Sequence, residues 1–165
     1  MKIAIVYYSL TGNIEYVVNY ISERIKVDTI KLVPKKEYPN KGLKKFLWGG
    51  KSAIMSETPE LEEYKFDADK YDYIILATPV WASRFAPPLR TFINDNIEKL
   101  KTKTIATIVS YSGGGAKEAI NRIRELLGIE DIDKELILID PKDKNTEEKE
   151  KEIDSFIDYL SKISH

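Results

Sequence analysis

Apolar residues occur in two rhythms that alternate along the chain. Lys2–Tyr8 (KIAIVYY) is almost continuously apolar and rich in β-branched and aromatic residues, which predicts a buried strand. From Asn13 the period lengthens: Ile14, Val17, Val18, Ile21 and Ile25 fall on one face of a helix. VDTIKLV alternates and predicts a second strand near a sheet edge, stopped by Pro34. Leu43, Phe46, Leu47, Ala53 and Ile54 predict the apolar face of a second helix, although Gly49 and Gly50 each cost about 1 kcal/mol relative to alanine there. YDYIILATP predicts a third, central strand, and Pro79, Pro87 and Pro88 bracket an irregular loop. The next helix carries Leu89, Phe92, Ile93, Ile97 and Leu100, and KTIATIVSY follows as a fourth strand. After SGGG, Ala116, Ala119, Ile120, Ile123 and Leu127 trace a helix ending at Gly128. KELILID is the fifth strand, and Ile153, Phe156, Ile157, Leu160 and Ile163 mark the last helix behind a solvated KNTEEKEKE run.

Five strands alternating with five helices predict an α/β fold: a doubly wound, five-stranded parallel sheet with helices on both faces. Right-handed crossovers and a length of 165 residues favour strand order 2-1-3-4-5 in a single domain spanning residues 1–165. In that order the connections from strands 1 and 3 leave in opposite directions, so a crevice opens beyond their C-terminal ends. The loops facing it are YSLTGN, TPVWASRFAPP and SYSGGG, and none contains an acidic residue.

Composition narrows the chemistry mainly by what is missing. With no cysteine, disulfides, thiolate nucleophiles and cysteine-ligated metals are excluded. The one histidine, His165, is the last residue and a poor candidate for a general base or metal ligand. The 26 basic and 27 acidic side chains nearly cancel and form no basic block, which argues against a nucleic-acid partner. No apolar run is long enough to span a membrane, and MKIAIVYYSL reads as a first strand rather than a leader, so the expected location is the cytoplasm. Such a chain uses carboxylate or hydroxyl chemistry, a cofactor's chemistry, or binding alone.

The first crevice loop carries more polar chemistry than a strand-to-helix turn requires. A helix N-terminus offers unpaired N–H groups and a partial positive charge. Ser9, Thr11 and Asn13 add donors, and Gly12 permits close backbone approach, so Ser9–Ile14, including Leu10, reads as a phosphate cradle built from neutral dipoles. A simple cap by Thr11 or Asn13 would explain one of these residues. In the second loop, Trp81 and Phe85 are candidates either for the core or for covering a flat aromatic ligand. In the third, Tyr111 and Ser112 precede the backbone N–H groups of three glycines. GGKS at Gly49–Ser52 is no P-loop, since Lys45 stands where the pattern needs glycine and no strand precedes it.

SLTGN, TPVWASRFAPPLRTFI and SYSGGG, in this order of elements, give a chain that resembles flavodoxin and its flavodoxin-like relatives over nearly its whole length. The resemblance implies FMN as cofactor. Ser9, Leu10, Thr11, Gly12, Asn13 and Ile14 would form the phosphate loop. Thr78, Pro79, Val80, Trp81 and Ala82 would flank one side of the isoalloxazine, and Tyr111, Ser112, Gly113 and Gly114 would reach its other edge. The implied activity is electron transfer between redox protein partners, the alternative being an NAD(P)H- or quinone-dependent FMN oxidoreductase. Three features depart from the family: Ile14 replaces a hydroxyl residue, the chain is nearly neutral rather than strongly acidic, and Ala82 or Ser83 stands where a glycine often lets a peptide flip.

Overall fold

A computed structural model describes every residue except Asn145 and His165, and for Phe46 the backbone only. The reading of His165 as a poor ligand therefore lies outside the described residues. β1 (Ile3–Tyr7), β2 (Asp28–Lys31), β3 (Tyr73–Trp81), β5 (Thr104–Tyr111) and β6 (Lys134–Ile139) form one parallel sheet in the order β2-β1-β3-β5-β6. This is the expected 2-1-3-4-5 winding. It gains a short sixth strand, β4 (Arg84–Phe85), which folds back antiparallel on Val80 and Trp81. Part of the loop expected to be irregular is thus a hairpin.

The near-continuous apolar strands follow from burial on both faces. Ile3, Ile5 and Tyr7 of β1, with Tyr73, Ile75 and Ala77 of β3, point to the side covered by α1 (Asn13–Ser22) and α5 (Glu147–Ser164). Ala4 and Val6, with Ile74 and Leu76, point to the side where α3 (Pro87–Leu100) contributes Leu89, Phe92 and Ile93. α4 (Ala116–Leu127) packs Ile123 and Leu127 into that second core and Ala116 and Ile120 against Val109. Each parallel strand ends at the same edge, which collects the connections into α1, β4, α4 and α5.

α2 (Gly42–Ile54) differs from the reading of its apolar residues as a buried face. Ala53 is buried, but Leu43, Leu47 and Ile54 are 79%, 68% and 57% exposed. Gly49 is why a helix interrupted by glycines forms here: a Cβ at that position would lie 3.1 Å from the Trp81 ring. The helix meets the body of the protein through its glycine side and leaves its leucines outside.

Candidate functional site

The first loop is held open by Gly12, which caps α1 in a left-handed conformation with φ of 95°. Ser9 Oγ accepts the Glu15 N–H at 3.2 Å, so this hydroxyl satisfies a donor of the first turn from outside the helix and keeps its own proton to donate. Thr11 Oγ1 accepts a long bond from Asn13 Nδ2 at 3.4 Å. Asn13 itself is buried, and its Oδ1 accepts the Lys142 N–H at 2.9 Å while Nδ2 also reaches Asp143 at 3.4 Å. Its amide fastens the start of α1 to the connection between β6 and α5. Ile14 is in the core, 1% exposed, and contributes backbone alone.

That fastening brings a cation to a loop that contains none. A Cβ added to Gly12 would lie 3.0 Å from Lys142 Nζ. Among the described residues no carboxylate pairs with this ammonium. Nothing local in the sequence points to Lys142, which lies 130 positions from Gly12. α1 and α5 cover the same face of the sheet, so the segment entering α5 meets the N-terminus of α1.

The β3–β4 hairpin forms the second wall. Trp81 packs edge-on against Tyr8 and Tyr38, with ring centroids 5.7 and 5.2 Å apart, and turns its remaining surface to the crevice. Phe85 is 1% exposed and belongs to the core, beneath the Arg90 guanidinium at 4.6 Å. Thr78 is fully buried: its hydroxyl accepts the Ala86 N–H and donates to the Pro79 carbonyl, both at 2.9 Å. It pins the hairpin and its side chain does not line the crevice. The turn places Ala82 and Ser83 at φ of 50° and 59°, a left-handed region that costs a non-glycine residue about 1–2 kcal/mol. Gly115 completes this contact, because a Cβ there would lie 2.6 Å from Ser83 Cα.

Between these walls lies a cavity of about 700 Å³. Leu10, Thr11 and Asn13 line one end, Pro79–Ser83 one side, and Ser110–Gly115 the other. Of the residues assigned from sequence, Ser9, Gly12, Ile14 and Thr78 do not line it directly. Lys45 and Gly50 of α2, Ser83, Ser110, Gly115 and Asp140 line it and were not in the assignment. Asp140 changes the expected electrostatics, since no acid occurs in the three loops read as the crevice. It is 8% exposed, accepts the Ser112 hydroxyl at 2.6 Å and pairs with Lys144 at 3.1 Å. Burial opposes its ionisation, but Ser112 and Lys144 outweigh that and hold its carboxyl below the usual range. At the opposite wall, burial raises the Tyr8 phenol well above its ordinary value, as do nearby Tyr38 and Glu37, so it stays neutral. The arrangement offers an anion cradle at one end, a slot flanked by Trp81 and Tyr111, and unobstructed backbone at Gly113 and Gly114, where an added Cβ would meet nothing within 4 Å.

Solved structures similar to this chain include flavoproteins. A Lactobacillus acidophilus flavoprotein in complex with FMN is 20% identical, with TM-score 0.70 over 86% of this chain and 95% of that one. Oxidised Flavodoxin 2 from Bacillus cereus is 20% identical, with TM-score 0.61 over 98% and 99%. The apo form of an NADH:FMN oxidoreductase is 14% identical, with TM-score 0.57 over 96% and 88%. At these identities the likeness shows the fold. No curated protein matches the chain. The family model for NADPH-dependent FMN reductase matches residues 1–132, which includes the cradle, the hairpin and the glycine loop, and the chain belongs to that family.

Proposed function

We propose that the chain is an FMN-dependent oxidoreductase that takes reducing equivalents from a nicotinamide nucleotide and delivers them to a quinone or a second flavin. The observation that carries this reading is the open crevice. Trp81 leans into Tyr8 and Tyr38, and Phe85 is in the core, so neither aromatic side chain caps the slot against a second substrate. Family membership over residues 1–132 agrees with it.

The residues fit FMN. The left-handed Gly12 leaves backbone N–H groups open at the cradle, and Ser9 and Thr11 keep hydroxyl protons to donate. Lys142 adds the cation that the cradle lacks locally and offsets the hydroxyl lost at Ile14. Trp81 and Tyr111 bound the slot for a flat ring, and Ser112, Gly113 and Gly114 offer hydrogen bonds to its polar edge. Bound there, FMN supplies the acceptor for a hydride, two electrons with one proton. Asp140 and Lys144 form a compensated pair beside Ser112, so Asp140 sets little net negative charge against the incoming electrons.

The test is steady-state NADPH and NADH oxidation by the FMN-loaded protein with a soluble quinone as acceptor. Turnover that requires both FMN and quinone is the expected result. Flavin that dithionite reduces but neither nucleotide does would refute the reading and favour a one-electron carrier. The exposed apolar face of α2 beside the crevice speaks for a protein partner, which keeps that second reading in view.

A further inference from the structure

We infer that α2 is the docking surface for a small acidic electron-carrier protein. Leu43, Leu47, Trp48, Ile54 and Met55 of α2 and its end are 79%, 68%, 56%, 57% and 62% exposed. Five large apolar side chains exposed on one short helix and its end mark an interaction site. Leu43, Leu47 and Ile54 follow helical spacing, so they lie in one stripe, and Trp48 and Met55 lie about 100° further round the helix, with Lys44 and Lys51 between them.

Charge selects the occupant. Lys44 and Lys51 are exposed within this face and Lys41 at its N-terminal end, and among the described residues none has a carboxylate within ion-pair distance. From residue 41 to residue 55 the chain has no Asp or Glu at all. A second copy of this chain would bring lysines against lysines, which disfavours self-association through this face. An apolar face interleaved with lysines fits a partner that sets acidic side chains among its own apolar contacts.

Position selects an electron carrier among acidic proteins. Gly50 and Lys45 of α2 line the same cavity as Trp81, and Gly49 packs on the Trp81 ring. A protein seated on α2 therefore lies against the wall of the proposed flavin slot. This part of the inference rests on the FMN reading, and docking is measured separately from nucleotide oxidation.

The experiment is isothermal titration of the FMN-loaded protein with two acidic probes, a plant-type [2Fe–2S] ferredoxin and a strongly acidic flavodoxin, and with basic cytochrome c as the opposite charge. At about 20 mM salt the acidic probes are expected to bind in the micromolar range, weakening several-fold at about 200 mM, while cytochrome c does not bind. Leu47→Gln and the double variant Lys44→Glu/Lys51→Glu should each weaken both acidic probes at least ten-fold. Both variants should retain FMN binding and nucleotide oxidation, since none of the three side chains lines the cavity. Failure of both acidic probes to bind would overturn the inference, as would binding that these variants leave unchanged. Co-sedimentation with phosphatidylserine vesicles that Leu47→Gln abolishes would assign the face to a membrane and overturn it. A concentration-dependent dimer that Leu47→Gln dissolves would assign it to a second copy and do the same.

Discussion

Lys142→Ala separates the structure's account of the phosphate cradle from the one visible in the loop alone. The loop from Ser9 to Ile14 holds hydroxyls and backbone donors but no cation, whereas Lys142 Nζ lies 3.0 Å from where a Gly12 Cβ would be. A charge-assisted hydrogen bond contributes about 1.5–3 kcal/mol when sheltered. Lys142 is exposed, so solvent screening reduces its share to about 1 kcal/mol, a five- to ten-fold change in Kd. The backbone contribution stays, because the Lys142 N–H to Asn13 bond at 2.9 Å does not involve the side chain. FMN and riboflavin would be titrated by flavin fluorescence into parent and variant at low and high salt. The variant should weaken FMN five- to ten-fold at low salt, weaken it much less at high salt, and leave riboflavin unchanged. Equal losses for both ligands, or no loss for FMN, would refute the assignment of Lys142 to the phosphate.

Three other perturbations address the walls. Gly115→Ala imposes an L side chain at φ of 84° and a Cβ 2.6 Å from Ser83 Cα, so it should cost about 2–4 kcal/mol in urea unfolding; a loss below about 1 kcal/mol would show that the hairpin yields freely. Trp81→Phe should remove most of the tryptophan quenching on FMN binding, leaving the exposed Trp48 emission; a variant that quenches like the parent would place Trp81 away from the ring. Asp140→Asn keeps the shape and tolerates φ of 39° but loses the charge, so about 1–2 kcal/mol of stability should vanish at pH 7. Because the folded carboxyl titrates below its unfolded value of about 3.9, the parent's advantage is present above that pH and disappears as the pH falls through the lower folded value. An advantage that does not diminish as the pH falls below about 3.9 would contradict the assignment of the shift to Asp140.

Much of the fold is legible because its signals are local and agree. Ile3–Tyr7 and Tyr73–Ala77 are apolar at every position, and only a strand buried on both faces needs that pattern. The C-terminal ends of such strands then place three loops at one edge, and Thr11, Pro79–Ala82 and Tyr111–Gly114 do line the cavity. What local pattern could not give are contacts made by distant segments. Lys142 reaches Gly12 through the packing of α1 beside α5, and Asp140 enters because β6 ends at the same edge. Asn13 has the residue type of a ligand donor, yet its amide is committed to Lys142 and Asp143, partners outside any local motif. The α2 stripe misleads for a different reason: helical periodicity reports that one face is apolar, not that this chain covers it.

The hairpin turn links these levels. Ala82 and Ser83 adopt left-handed dihedrals that glycine or asparagine would take at less cost, so about 1–2 kcal/mol per residue is held at the rim of the cavity. Three contacts keep the turn in that state. Thr78 pins the far strand through the Ala86 N–H, Gly115 leaves room for Ser83, and Gly49 and Gly50 let α2 close against Trp81 and Ala82. Two of the glycines are placed where a Cβ would push on the hairpin, 2.6 Å from Ser83 Cα at Gly115 and 3.1 Å from the Trp81 ring at Gly49, whereas at Gly50 it would make an ordinary contact 3.7 Å from Ala82 Cβ. The turn is thus conformationally costly by itself and set by its neighbours, which couples its geometry to α2 on one side and to α4 on the other. Relaxing it by Ala82→Gly should stabilise the folded chain only partly, because glycine also gains freedom when unfolded. If strain in the turn sets how the slot presents Trp81, the same variant should change FMN affinity by more than it changes stability. A variant that shifts both equally would mean that the strain belongs to the fold alone.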